Sequence, residues 1–147
     1  MTEKLSNAQV GDHFEGRIRT LSLARMLAFS GGLLDAPGWP DANLHTDDDK
    51  AREAGLKSII ASGTQSEGIL LELLISLFGP SWHRSGKLDA KMTSSIGVND
   101  TIQAKARLVA QESTPQGTQI VLDVWCENGA GEKNMVGQAQ GTLNAPK

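Results

Sequence analysis

The sequence predicts an α+β fold in which a curved antiparallel sheet of about five strands wraps around one long apolar helix. The helix is predicted by the stretch Ala61 to Pro80, whose side chains are apolar around nearly the whole circumference and therefore need cover on most sides. The sheet is predicted by the segments that follow, because they alternate apolar and polar residues and are separated by short turn sequences. Short turns make neighbouring strands antiparallel.

The two ends of the central helix carry different signals. Gly79 and Pro80 end it, because glycine supplies a left-handed cap and proline cannot continue a helix. Ser62, Gly63 and Thr64 open it with small polar residues. The first backbone N–H groups of a helix have no partner within it and lie at the positive end of its dipole. We therefore expect the functional site at this helix start.

The chain before the central helix is expected to form a strand and a helix. Residues 1–9 are predicted to be a loose polar lead. Phe14 to Thr20 has the alternation of a half-buried strand. A helix should follow, capped by Thr20 or Ser22 and ending near Ser30. The buried face of the strand would carry Phe14, Gly16 and Ile18.

The segment Gly31 to His45 is predicted to be a long loop, because it holds three glycines, two prolines and no sustained periodicity. A loop of this length inside a small domain is usually functional or disordered. Its large apolar side chains predict a loop that is docked on the protein: Leu33, Leu34, Trp39 and Leu44. A short helix should follow, with Thr46 as its cap, aspartates at 47–49 in its first turn and Gly55 at its close.

Four strands are predicted after the central helix. They cover residues 88–94, 101–112, 119–126 and 134–143, with turn signals at 97–100, 114–117 and 128–132. Cys126 falls on the apolar face of the third of these strands. We therefore interpret it as a core residue and not as a nucleophile.

The composition fits a single soluble domain over residues 1–147. A net charge of -3 and a pI near 5.6 argue against a nucleic-acid partner. The N-terminus has no apolar segment of a signal peptide, and one cysteine forms no internal disulfide, so we expect a cytoplasmic protein. The longest apolar run is shorter than a membrane span and contains two glutamates, which argues against a membrane partner.

Several short motifs occur along the chain in a recognisable order. They are Val10-Gly11-Asp12, Phe29-Ser30-Gly31, Asn43-Leu44-His45-Thr46-Asp47, Ala51 with Gly55, Ile60-Ala61-Ser62-Gly63 and Gly97-Val98-Asn99-Asp100-Thr101. With these motifs, and with the order of helices and strands given above, the sequence resembles the MaoC-like acyl-CoA hydratase/dehydratase family from about Val10 to Leu143. The resemblance implies the hot-dog fold.

The resemblance also implies an activity and a site. The activity is the addition or removal of water across the 2,3-position of an acyl thioester carried on coenzyme A or an acyl carrier protein, with no metal and no separate cofactor. His45 matches the histidine of the family and would act as acid/base, with Asp41 as its partner. The thioester oxygen would be held near Ser62, Gly63 and Thr64, and Asn43 would lie at the substrate. Hot-dog protomers commonly join their sheets, so a homodimer is expected.

The sequence departs from the family motif before this histidine. The motif of the family is usually Ser-Gly-Asp-x-Asn-Pro-x-His, with the aspartate five positions before the histidine. In this chain Pro40 stands at that distance from His45, and Asp41 follows one place late. Asp35, in the middle of the longer loop, is the other aspartate that could serve, and Asn43 is off register with the asparagine of the family.

Three other functions stay open at this point. Glu67 lies one turn into the central helix, where some hot-dog thioesterases place their catalytic carboxylate, so a thioesterase acting through Glu67 is one alternative. A non-catalytic thioester-binding or partner subunit, which kept the fold after losing the aspartate, is the second. Lyase or isomerase chemistry on another metabolite would also suit a histidine that moves an α proton.

Overall fold

The computed structural model describes residues 2–143, so Met1 and residues 144–147 of the predicted domain lie outside the described chain. Six strands and five helices are found in this range. In chain order they are α1 (Thr2–Ser6), β1 (His13–Glu15), β2 (Arg19–Thr20), α2 (Leu23–Ser30), α3 (Asp48–Glu53), α4 (Gly63–Phe78), α5 (Pro80–Ser85), β3 (Lys87–Met92), β4 (Thr101–Thr114), β5 (Gly117–Asn128) and β6 (Lys133–Leu143).

The strands form one antiparallel sheet in the order β1-β4-β5-β6-β3, and β2 pairs with β4 further along the same edge as β1. The sheet therefore has five strand positions, which confirms the predicted number. Its centre is the long β4–β5 hairpin, which turns over two residues between Thr114 and Gly117. The Thr114 hydroxyl donates to the main-chain oxygen of Gly117 at 2.8 Å and stabilises that turn.

Helix α4 packs on one face of β4, β5 and β6 and confirms the predicted buried central helix. Alternate residues of the strands face it, and all of these side chains are buried: Ile102, Ala104, Ala106, Leu108, Ile120, Leu122, Val124, Cys126 and Ala139. Leu70, Leu74 and Phe78 of α4 are fully buried against them. Each buried leucine of this kind contributes about 1.5–3 kcal/mol relative to an exposed one.

Both ends of α4 lie close to their predicted positions. Ser62 is the N-cap residue, and Gly79 ends the helix with a φ of 58°, in the left-handed region that glycine adopts without strain. Pro80 does not start a loop, however. It begins α5, because proline is tolerated in the first turn of a helix, where its missing N–H has no partner to lose.

The N-terminal prediction was wrong in two respects. The expected loose lead contains the short helix α1, and Leu5 is buried in the core with 1% of its surface exposed. The expected strand from Phe14 to Thr20 is divided into β1 and β2, and Ile18 between them is 66% exposed. The break lies at Gly16. Its main-chain oxygen accepts a hydrogen bond from the side-chain amide of Gln103 at 2.9 Å, in place of a backbone N–H of the neighbouring strand.

The caps of α2 and α3 were predicted at nearly the right places. Ser22 caps α2 as expected, accepting the N–H of Arg25 at 3.3 Å. The cap of α3 is Asp47 and not Thr46, with the Lys50 N–H donating to its carboxylate at 2.9 Å. An aspartate is favoured there because its negative charge also meets the positive end of the helix dipole. Thr46 is thereby free for another contact.

The loop between α2 and α3 is ordered, but only part of the apolar set that was expected to dock it does so: Trp39 and Leu44 are half-buried. Leu33 and Leu34 are 76% and 66% exposed. Main-chain hydrogen bonds also hold the loop, among them Asp41 N–H to the Gly31 oxygen at 2.8 Å. Satisfied backbone groups thus fix the loop together with the partial burial of Trp39 and Leu44.

Candidate active site

His45 lies in a turn that Asn43 builds. The Asn43 side-chain oxygen accepts the His45 N–H at 2.8 Å, which is the side-chain turn typical of asparagine. The N–H groups of Thr46 and Asp47 both donate to the Asn43 main-chain oxygen, at 3.1 and 2.9 Å. The backbone of His45 is therefore fixed on both sides of the histidine.

The imidazole of His45 is oriented by the chain that leads into α4. Its Nδ1 lies 2.8 Å from the main-chain oxygen of Ile60. A carbonyl oxygen only accepts, so Nδ1 must carry the hydrogen, and the neutral ring keeps its lone pair on Nε2. Ile60 is two residues before the N-cap Ser62. The bond therefore holds the ring against the segment that leads into α4 and leaves Nε2 as the nitrogen that can take a proton.

Asp41 lies in the same turn, but its carboxylate is not bonded to His45. The Asp41 main-chain oxygen accepts the Thr46 hydroxyl at 2.6 Å and an Asn43 amide N–H at 3.3 Å. Its carboxylate packs over the backbone of Gly32, close enough that a side chain at Gly32 would collide with it. The backbone of Asp41 is held by the turn, while its carboxylate is exposed.

The other two carboxylates considered from the sequence also stay apart from His45. Asp35 is exposed in the long loop, and Glu67 is exposed on α4. Over residues 4–143, whose side chains the structure describes, no carboxylate oxygen lies within 4.0 Å of a His45 ring nitrogen. The structure thus brings His45 to the lead of α4 and pairs it with a carbonyl, not with an acid.

The start of α4 leaves its first N–H groups free. The Ser62 side chain does not cap the helix. Its hydroxyl is instead 2.8 Å from the hydroxyl of Thr64. Within the part of the chain that is described, no group accepts the N–H of Gly63 or Thr64. Two unused donors at the positive end of a helix suit an oxygen that carries or gains negative charge.

Asn43 holds the loop and has no amide hydrogen left for a substrate. Its Nδ2 donates to the Ser30 main-chain oxygen at 2.8 Å as well as to that of Asp41. With its oxygen on the His45 N–H, all the hydrogen-bonding atoms of the side chain are in use. The contacts make Asn43 a positioning residue for His45.

One polar pair near the helix start was missed from the sequence. Asn134 of β6 donates to the hydroxyl of Ser66 on α4 at 3.1 Å, and both residues are buried. The two stand 68 positions apart in the sequence. A polar residue beside an apolar one at the start of a predicted strand is the only signal, and it does not identify the partner.

The larger grooves lie elsewhere on the surface. One of about 660 Å³ runs along β3 and β6 and is lined by neither His45 nor the start of α4. No group of three or more His, Cys, Asp or Glu side chains in residues 4–143, whose side chains are described, is arranged to hold a metal ion. No helix in the same range is long and apolar enough to cross a membrane.

Comparison with known proteins gives structural neighbours only. No protein-family model and no curated protein matches the sequence. A MaoC-like dehydratase from Rhodospirillum rubrum has a TM-score of 0.75 at 20% identity, over 97% of this chain and 98% of that chain. The (R)-hydratase PhaJ1 from Pseudomonas aeruginosa has a TM-score of 0.73 at 17% identity, over 97% of this chain and 86% of that chain.

A third neighbour comes from a complex of two proteins. A chain of the ChsH1–ChsH2 complex from Mycobacterium tuberculosis has a TM-score of 0.69 at 17% identity, over 93% of this chain and 99% of that chain. All three alignments cover nearly the full length of this chain. The chain therefore has the hot-dog fold of the MaoC-like dehydratases and (R)-hydratases.

Proposed function

We propose that the protein is a hydratase/dehydratase that acts on an enoyl or 3-hydroxyacyl thioester of coenzyme A or an acyl carrier protein. The observation that carries this proposal is the bond from His45 Nδ1 to the Ile60 oxygen. It leaves Nε2 as a base beside the lead of α4, whose free N–H groups suit a thioester oxygen. The fold shared with hydratases and dehydratases supports the same reaction class.

In the hydration direction, His45 Nε2 takes a proton from water while the water oxygen bonds to C3 of the enoyl group. The electron pair of the 2,3 double bond moves toward the thioester carbonyl and gives an enolate. The N–H groups of Gly63 and Thr64 donate to its oxygen. The protonated imidazole then delivers the proton to C2, which yields the 3-hydroxyacyl thioester and restores the neutral ring. Dehydration follows the same steps in reverse.

The position of Asp41 gives it a supporting part in this proposal. With Nδ1 engaged by Ile60, the carboxylate is not needed to set the tautomer of His45. Asp41 shares the turn of His45 through Thr46 and Asn43, so its exposed carboxylate is available to accept a hydrogen bond from the attacking water. We propose this role for Asp41, because a second acceptor would orient the water toward C3.

One observation favours a second candidate, a non-catalytic thioester-binding or partner subunit. It is the separation of His45 from every described carboxylate by more than 4.0 Å. A protein that only binds a thioester needs the donors of the α4 start but no acid/base pair. Such a protein would bind acyl-CoA without converting it.

We further propose a homodimer joined through β3. This strand is at the edge of the sheet, and an unpaired edge is a template for another strand. A two-fold axis at Ala90 would set Asp89 opposite the partner's Lys91 and Leu88 opposite the partner's Met92, which are favourable cross-strand pairs. A sedimentation mass that stays at 15.6 kDa at all concentrations would exclude this dimer.

Product analysis tests the function. The purified protein is incubated with short and medium enoyl-CoAs, and the 3-hydroxyacyl product and free thiol are measured together. Hydration without thiol release, unchanged in Glu67→Ala, is expected. Thiol release that is lost in Glu67→Ala would identify a thioesterase, and saturable binding of acyl-CoA with neither product would identify a binding subunit.

A further inference from the structure

A β-bulge in β6 turns a polar side chain into the core beneath the start of α4. The register of β5 and β6 shifts between the pairs Cys126–Met135 and Glu127–Lys133, which leaves Asn134 without a cross-strand partner. In a regular strand Asn134 and Met135 would face opposite sides of the sheet. Both are buried, Asn134 with 2% and Met135 with 5% of the surface exposed. Bulges re-aim side chains in this way and are common next to active sites.

The side chain of Asn134 reaches the first turns of α4. Its Nδ2 donates to the Ser66 hydroxyl at 3.1 Å. Ser66 follows Gly63 by three positions and therefore lies on the same side of the helix. The Cys126 thiol adds a weak hydrogen bond to the Ser66 main-chain oxygen, with 3.7 Å between sulfur and oxygen. Polar groups from two adjacent strands thus hold the beginning of the helix.

The main chain of Asn134 is connected to the helix start by a second route. Its oxygen accepts the N–H of Thr93 at 2.9 Å, just after the end of β3. The preceding residue, Met92, packs against Gly63, where an added Cβ would meet the Met92 Cγ at 3.4 Å. Asn134 is therefore hydrogen-bonded both to Ser66 of α4 and to Thr93, the residue that follows the Gly63 contact Met92.

Asparagine is an unfavourable choice for packing alone at this position. Its side-chain oxygen is buried and has no hydrogen-bond partner among the side chains of residues 4–143 and the backbone of residues 2–143. An unpaired buried acceptor destabilises the fold, and an apolar side chain of similar size would avoid that penalty. Asparagine is thus present at this position although its unpaired oxygen destabilises the fold. This points to a role for the hydrogen bond from Asn134 to Ser66.

We infer that Asn134 is a positioning residue which, through Ser66, fixes the direction of the Gly63 and Thr64 N–H groups. The inference rests on the proposed function, in which these two groups donate to the thioester oxygen. Their effect is largest when that oxygen gains charge, so their orientation acts on the transition state more than on substrate binding. A small rotation of the first turn would weaken both donors together.

Kinetics of Asn134→Leu and Ser66→Ala test the inference, with Met135→Leu as the matched buried control. Each of the two test variants should lower kcat for enoyl-CoA hydration by about 10- to 100-fold and leave KM unchanged. The double variant should lose no more than the stronger single variant, because both act through one contact. Met135→Leu should keep its kcat. Wild-type kcat in folded Ser66→Ala, or a loss confined to KM, would overturn the inference.

A second measurement separates this inference from the proposed function. The amide resonances of Gly63 and Thr64 are recorded by NMR in the wild type and in the three single variants. Asn134→Leu and Ser66→Ala should shift both resonances, and Met135→Leu should leave them in place. If the wild type hydrates no enoyl thioester, the proposed function fails while these shifts still support the positioning. Unmoved resonances in both test variants overturn the positioning, whatever the activity.

Discussion

His45 Nδ1 and the main-chain oxygen of Ile60 are 2.8 Å apart and join the long loop to the lead of α4. Ile60 also donates its N–H toward the Leu44 oxygen at 3.5 Å, so the two segments contact each other twice. On the other side, the N–H of Ala61 donates to the Ile96 oxygen at 2.8 Å. The imidazole is therefore anchored to a segment that the protein holds from both sides, and this fixes its tautomer as well as its position.

Removal of the Asn43 side chain tests how the histidine is held. Asn43→Ala loses the bonds to the Ser30 oxygen and the His45 N–H, and should lower the free energy of unfolding by about 1–3 kcal/mol. The hydration rate should fall as well, since the turn that carries His45 loosens. Urea unfolding and hydration assays measure the two effects. Glu112→Ala, on the exposed part of β4, is the control, and an Asn43 variant as stable and active as this control would refute the assignment.

Two glycines of the loop provide a matched test of Asp41. Gly32 and Gly38 have φ values of 81° and 84°, but an added Cβ meets the Asp41 carboxylate only at Gly32 and meets nothing within 4 Å at Gly38. Alanine at either position should therefore cost about 1–2 kcal/mol of stability, from the backbone alone. Gly32→Ala should in addition slow hydration, because it displaces the carboxylate.

One result of comparing Gly32→Ala with Gly38→Ala would exclude Asp41 from the reaction. Equal hydration rates in Gly32→Ala and Gly38→Ala would show that Asp41 needs no defined position, and would remove it from the mechanism. The same measurement in an Asp41→Ala background is the internal control. There the two glycine variants should behave alike, since the colliding group is gone.

The outer face of the sheet should make stability depend on acid. The Lys105 Nζ lies 2.7 Å from Oε1 of Glu127, and the Arg107 Nη2 lies 2.8 Å from Oδ2 of Asp123. Hydrogen bonds from these cations hold the pKa of Glu127 below its ordinary 4.5 and the pKa of Asp123 below its ordinary 3.8. Carboxyls with a lowered folded pKa stabilise the fold above the unfolded value, and the contribution is lost as the pH falls through the folded value.

The free energy of unfolding should accordingly fall as the pH drops below about 4.5. Lys105→Gln removes the main cause of the Glu127 shift, so its stability should depend less steeply on pH in that range. Urea unfolding at a series of pH values measures both curves. Parallel curves for the wild type and Lys105→Gln would contradict the assignment.

Cys126 should not react while the protein is folded. It is fully buried, and burial raises the pKa of its thiol to about 12, so almost no thiolate is present near neutrality. A chromogenic disulfide reagent should label it only after urea is added. Val10→Cys in a Cys126→Ala background is the exposed control and should react at once, because Val10 is 60% exposed. Rapid labelling of native Cys126 would be inconsistent with its core position.

The sequence was most informative where one residue pattern determines one structure. The continuous apolar surface of α4 leaves no alternative to a buried helix, and Ser62 and Gly79 limit it to within two residues of its predicted bounds. The alternating segments from Thr101 onward specify the hairpins in the same way. These signals are local, and each is repeated over many positions.

Features that depend on distant contacts were not predictable. Helix α1 is five residues long and has little helical stability of its own, so the burial of Leu5 in the core decides its structure. The bond from His45 to the Ile60 oxygen involves a backbone atom, and every residue has such an atom, so the residue type at position 60 does not predict the contact. The bulge that turns Asn134 inward is a matter of register between two strands, and it too leaves no mark in the composition.

The role of His45 as the general base is tested by the hydration rate of His45→Ala. His83, exposed on α5, provides the matched control as His83→Ala. We expect kcat/KM for enoyl-CoA hydration to fall about 10²- to 10⁴-fold in His45→Ala, because a general base is lost, and to stay at the wild-type value in His83→Ala. Hydration by folded His45→Ala at the wild-type rate would contradict this role.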